Sequence, residues 1–187
     1  MYNLSGAKRF FVRYRVALVI FAGILAGTTY ANVLVSYGKG QALVFNSSFL
    51  ATFDEVSING TYLWQYVCKT RLKDFALLFI IGHTKIGKLA FNAYLAYIGI
   101  SAGALISFAV MHYNVAGVLI YLVSVMPQYI LYGVSLWFLM KMIYNTEIRT
   151  QNKIVIVIIA FMLLIGGTYL EAYVNPELLR KLYVFMY

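Results

Sequence analysis

The chain has 187 residues, 63% hydrophobic and 11% charged, against about 45–50% and about 25% for soluble domains, so it reads as an integral membrane protein. Its net charge of +9, from 15 Lys and Arg against 6 acids, lies beside the apolar runs and not in a basic module of its own. This suits anionic lipid headgroups and argues against nucleic acid as a partner, and the single cysteine, Cys68, excludes an internal disulfide or a cysteine-based metal site.

Residues 1–15 carry Lys8, Arg9, Arg13 and Arg15 and lead into an apolar run over residues 16–35, long enough at about 1.5 Å per residue to cross a hydrocarbon core of about 30 Å. A cleaved signal peptide competes, with Thr29-Tyr30-Ala31 as its cleavage site. The apolar region exceeds the roughly 7–15 residues of such signals, which favours a retained first span. Gly23 and Gly27 stand four apart on one helix face, where another backbone can approach closely.

Residues 37–60 form the main loop, ending in the turn-like Asn59-Gly60. Asn46-Ser47-Ser48 and Asn59-Gly60-Thr61 match the glycosylation acceptor pattern, which is common by chance and irrelevant in a bacterium. Residues 61–74 interleave Tyr62, Trp64 and Tyr66 with Lys69, Arg71 and Lys73, the mixture that a headgroup layer selects, and read as an interfacial helix.

The apolar stretch 72–82 is too short to cross alone, and extending it outward brings Lys69, Arg71, Lys73 and Asp74 into the helix. A charge at the bilayer centre costs about 2.5–3.5 kcal/mol on insertion scales, so these charges are expected to snorkel at the outer end, or the segment is re-entrant. Counting bases decides. If 72–82 crosses, Lys8, Arg9, Arg13, Arg15, Lys85, Lys88, Lys141, Arg149 and Lys153 share one face, leaving Lys39, Lys69, Arg71, Lys73, Arg180 and Lys181 on the other. If it is re-entrant the majority reverses. The positive-inside rule prefers the crossing, with the N-terminus cytoplasmic and the C-terminus extracytoplasmic.

The third span, residues 89–110, is rich in small residues around Gly99 and Gly103. After a short turn at residues 112–114, the fourth span covers 116–140 and contains Pro127, which has no N–H and clashes with the carbonyl of Val123, so a kink or break is expected there. The freed carbonyl needs a donor, which Gln128 or a neighbouring helix can supply. A polar turn over residues 144–153 precedes the fifth span, 154–170, which ends at Glu171-Ala172-Tyr173-Val174-Asn175-Pro176 before an amphipathic tail over 177–187. The fold expected is an all-α polytopic helix bundle, one membrane domain of five spans, broken or kinked near Gly82–Gly87 and Pro127.

Two motifs mimic enzyme signatures. Gly82 to Lys88 spells a phosphate-binding loop, but that chemistry needs a hydroxyl residue after the lysine, where Leu89 stands, and no aspartate follows Asp74. A tight turn anchored by Lys85 and Lys88 fits better. Gly99-Ile100-Ser101-Ala102-Gly103 has the spacing of a nucleophile elbow but lies within a span, where it makes a small-residue packing face. The two histidines, His83 and His112, fall at opposite ends of the third span, so neither a metal site nor an acid–base pair is expected. The chain reads as non-enzymatic and without a cofactor. Glu171 is the one acid beside a span interior: it is either a contact or ion site, or a carboxylate capping the bundle at the interface.

The Gly82/Gly87 break, Gly99 and Gly103, Met126-Pro127-Gln128, and Glu171-Ala172-Tyr173-Val174-Asn175-Pro176 together resemble the stage II sporulation protein M family of bacterial membrane proteins, over roughly residues 16–179. The resemblance implies a five-helix membrane protein without catalytic residues. The sporulation member acts with two peptidoglycan-degrading enzymes during engulfment as their membrane anchor. Relatives in circular bacteriocin clusters have roles proposed in maturation, export or immunity. Two functions follow as expectations. One is a scaffold for other envelope proteins such as cell-wall hydrolases, possible as a homo-oligomer. The other is a permease-like component, working with an ABC-type ATPase, that moves or sequesters a peptide or lipid, for which the interrupted segments resemble transporter sites.

Overall fold

A computed structural model describes residues 4–37, 59–144 and 150–186. The loop acceptor Asn46, the bases Lys39 and Arg149 and most of the main loop lie outside the described residues. Among the described residues every regular element is a helix: α1 (Leu4–Ser36), α2 (Gly60–Gly82), α3 (Gly87–Tyr113), α4 (Val115–Tyr144), α5 (Thr150–Tyr169), a π-helical turn (Leu170–Val174) and α6 (Asn175–Met186). Four stretches, Tyr14–Ser36, Gly87–Tyr113, Val115–Tyr144 and Asn152–Leu182, are helical, long and apolar enough to cross a membrane.

The most extensive packing joins α1 to α3. A methyl group added at Gly23 would stand 2.6 Å from the carbonyl oxygen of Ala96, and one at Gly99 would stand 2.5 Å from that of Ile20. Gly27 is equally pressed against Ile100, and Gly103 against Ile24. Two glycine pairs spaced by four therefore let the backbones touch, the arrangement by which membrane helices gain dispersion contact without a hydrophobic driving force. Partner numbers rise together along the two helices, so α1 and α3 run parallel.

α2 runs antiparallel to α5, and α4 antiparallel to α5. Trp64 reaches Thr168 and Phe75 meets Phe161, setting α2 against α5. Ser135 Oγ donates to the Ala160 carbonyl across α4 and α5 at 2.7 Å. The core gathers Phe75, Leu78, Phe91, Leu95, Leu139 and Leu164 from four helices.

Helix boundaries differ from the apolar runs in instructive ways. The interfacial helix expected over 61–74 and the short segment 72–82 are one continuous helix, α2, capped at its start by Asn59, whose Oδ1 accepts from the Thr61 and Tyr62 amides. Its 23 residues make a rod of about 34 Å. Gly82 to Gly87 is a tight turn, closed by a 3.0 Å hydrogen bond from the Gly87 amide to the Thr84 carbonyl, and a side chain at Gly87 would strike the Gly82 carbonyl. Lys85 stands exposed in it. Pro127 does not end its helix: α4 is assigned as helix on both sides of it. Nor does the fifth helix stop at Glu171. It widens into the π turn, where the Asn175 amide donates to the Leu170 carbonyl five residues back, and resumes as α6. The missing amide and bulky ring of Pro176 at the start of α6 account for the wider turn.

Candidate functional site

Glu171, set on the π turn, is met by Arg71 of α2. Arg71 Nη2 donates to Glu171 Oε1 at 2.7 Å and Nε to Oε2 at 3.1 Å, a two-pronged ion pair. Tyr132 of α4 donates its hydroxyl to Oε2 at 2.6 Å, and the guanidinium carbon lies 5.2 Å from the Tyr132 ring centroid. Arg71 is eleven residues from either end of α2, so the pair sits at mid-helix. Arg71 is partly buried, and Glu171 supplies the counter-charge that solvent would otherwise have to supply.

Beside this cluster lies a cavity of about 450 Å³ bounded by α1, α2, α3, α4 and α5, within the range of about 300–1,000 Å³ typical of small-molecule sites. Its wall is mostly apolar, with Val16, Phe91, Leu136 and Met140 among the lining residues. Polar groups come from Arg71, Ser135 and the four tyrosines Tyr94, Tyr121, Tyr129 and Tyr132. The three- and four-residue spacing of Phe91, Tyr94, Ile98 and Ala102 puts one stripe of α3 on the wall, and Tyr129, Tyr132, Leu136 and Met140 do the same from α4. A β-carbon added at Gly133, also on the wall, would meet nothing within 4 Å.

The expected contact residues are distributed differently. Gly99 borders the cavity while packing against α1, and Gly103 serves the α1 interface. Gln128 does not line the cavity. Its Nε2 donates to the Ser124 carbonyl at 2.9 Å, and Asn175 Nδ2 donates to the same oxygen from α6. The carbonyl so capped belongs to Ser124, one residue after the Val123 expected from the proline. Both amide oxygens, Gln128 Oε1 and Asn175 Oδ1, are buried and accept no hydrogen bond. Asn175 is only 6% exposed. His83 holds the Phe79 carbonyl through Nδ1 at 2.8 Å, at the opposite end of α3 from His112.

Arg71 and the four cavity tyrosines are absent from the sequence-derived candidates. A usable signal existed: Glu171 alone beside a span interior needed a cation, and Arg71 is the base nearest the middle of residues 60–82. Comparison with protein-family models, curated proteins and solved structures finds no match to this chain.

Proposed function

We propose that this chain is a multi-pass protein of a bacterial cell membrane that binds an amphiphile, a lipid or an apolar peptide segment, in the space between its helices, as a permease-like component without catalytic chemistry. The observation that carries the reading is the cavity of about 450 Å³, apolar over most of its wall and bordered by Arg71 and four tyrosines. Sites of this kind bind by burying an apolar body and orienting it with a few polar groups. The neighbouring ion pair matches the general role of intramembrane charges, which mark pathways and binding sites because their cost must be offset by function or pairing.

Five crossings, with the N-terminus cytoplasmic and the C-terminus extracytoplasmic, belong to the same proposal. The parallel course of α1 and α3 supports it, since the chain must return across the bundle between them. The placement of α2 also supports it: its Gly60 end abuts Tyr173 and its Gly82 end abuts Ile143.

A second reading, a scaffold for cell-wall hydrolases or other envelope proteins, rests on the resemblance to the stage II sporulation protein M family and on the exposed Tyr62, Tyr66 and Tyr169 near the Gly60 end of α2. The glycine pairs of α1 and α3 do not favour it, since they are consumed inside the chain.

Purification of the full chain, followed by extraction and mass spectrometry of what it retains, tests the first reading. Gly133→Leu, which fills open space, should strip a retained amphiphile while leaving helix content and elution volume unchanged. Identical retained material in both proteins would refute cavity binding, and stoichiometric recovery of an envelope protein from cross-linked native membrane would favour the scaffold.

A further inference from the structure

Resting on the cavity reading above, we propose that the occupant is a lipid with a neutral, hydroxyl- or ester-bearing head, of the diacylglycerol type, and not a phospholipid or a peptide. Arg71 is the only charged residue on the described wall, and its charge is already met by Glu171 through two hydrogen bonds of 2.7 and 3.1 Å. Glu171 in turn accepts from Tyr132, which leaves neither carboxylate oxygen without a donor. An anionic head would compete with Glu171 for the guanidinium, and a cationic head would face it, so the self-neutralised pair selects against both.

What the wall does offer is uncommitted hydroxyls. Tyr94, Tyr121 and Tyr129 line the cavity, and none has a hydrogen-bond partner among the described residues. Tyr94 and Tyr129 lie within electrostatic reach of Arg71, and Tyr121 within that of Tyr129. Phenol groups in an apolar site want partners, and ester carbonyls or a hydroxyl supply them without bringing charge. An extended peptide would carry an amide at every residue, each needing a partner, whereas most of this wall offers none. The volume agrees: about 450 Å³ lies in the range of small-molecule sites, room for part of a lipid with the rest left in the bilayer.

The test uses the full chain in phosphatidylcholine nanodiscs with two photoactivatable probes of identical acyl chains, a diazirine diacylglycerol and a diazirine phosphatidic acid, and locates adducts by mass spectrometry. Diacylglycerol should label the wall of α3 and α4 about threefold or more above phosphatidic acid, the size of effect expected from one hydrogen bond. The volume-conserving pair Tyr94→Phe and Tyr129→Phe should weaken diacylglycerol labelling by a similar factor. Gly133→Leu should abolish labelling by both probes. Equal or stronger labelling by phosphatidic acid that Gly133→Leu removes would overturn the neutral-head inference while leaving the cavity reading intact. Labelling that ignores Gly133→Leu overturns the cavity reading itself, and preferential capture of a diazirine-bearing apolar peptide also overturns the lipid. Should Gly133→Leu not fold, competition on the native protein decides: unlabelled diacylglycerol must displace the probe where unlabelled phosphatidic acid does not, and the reverse order refutes the proposal.

Discussion

Arg71 and Glu171 illustrate how a pair that costs much to bury individually becomes stable together. Side-chain exposures of 31% and 20% place both groups largely out of contact with the surroundings of the bundle. Removing one partner strands the other, at a cost of about 3–5 kcal/mol for a buried pair. Arg71→Met is therefore expected to lower stability by about 3 kcal/mol, the lower end of that range, and Arg71→Met combined with Glu171→Leu should recover most of the loss. Denaturant unfolding in mixed micelles measures both. A double variant no better than the single would show that the pair is not held by mutual compensation. The amides of Gln128 and Asn175 differ: each donates an N–H to the Ser124 carbonyl, and each has a buried oxygen without a hydrogen-bond partner among the described residues.

At the scale of elements, glycines with the same chemistry do opposite jobs. Gly27 and Gly103 hold backbones together, whereas Gly133 leaves room. Gly103→Val should thus destabilise by about 1–3 kcal/mol through overpacking, while Gly133→Val should stay within about 0.5 kcal/mol, the usual effect at an unencumbered site. Parallel thermal unfolding of the two variants checks the contrast, and equal losses would mean that backbone flexibility, not contact, governs both positions.

Periodicity and hydropathy made the helices α1, α3, α4 and α5 legible in the sequence, because an apolar run of span length has few other solutions. The extension of residues 72–82 outward through 61–74 was legible from the length needed, but not what makes its charges tolerable. Lys69, Arg71, Lys73 and Asp74 carry a cost on any one-helix scale, and what offsets it for Arg71 is Glu171, one hundred residues away. The cavity was hidden for a related reason: the stripes of α3 and α4 have ordinary core spacing, and the space they border shows only once the helices are assembled.

For the whole molecule, the orientation of each helix follows from one packing fact combined with one charge distribution. Because α1 and α3 lie parallel in contact, they begin at the same end of the bundle. At that end Arg15 stacks on Tyr144, its guanidinium carbon 4.5 Å from the ring centroid, and donates to the Tyr144 hydroxyl, which also faces the Lys88 carbonyl and Asn92. Lys88 Nζ lies 5.7 Å from the same ring, and Lys141 Nζ stands 4.2 Å over Trp137 nearby. Bases and aromatic rings drawn from α1, α3 and α4 thus converge at one end, the combination expected at a cytoplasmic interface. If α2 crosses, as proposed, the count of crossings is odd and the C-terminus emerges opposite the N-terminus. A periplasm-active reporter fused after Tyr187 should accordingly be active, and a cytoplasm-active one silent. The reverse result would require α2 to lie within the bundle without crossing. That would place Arg71 and Glu171 close to one membrane face, and the cavity beside them would open toward that face, not toward the bilayer centre.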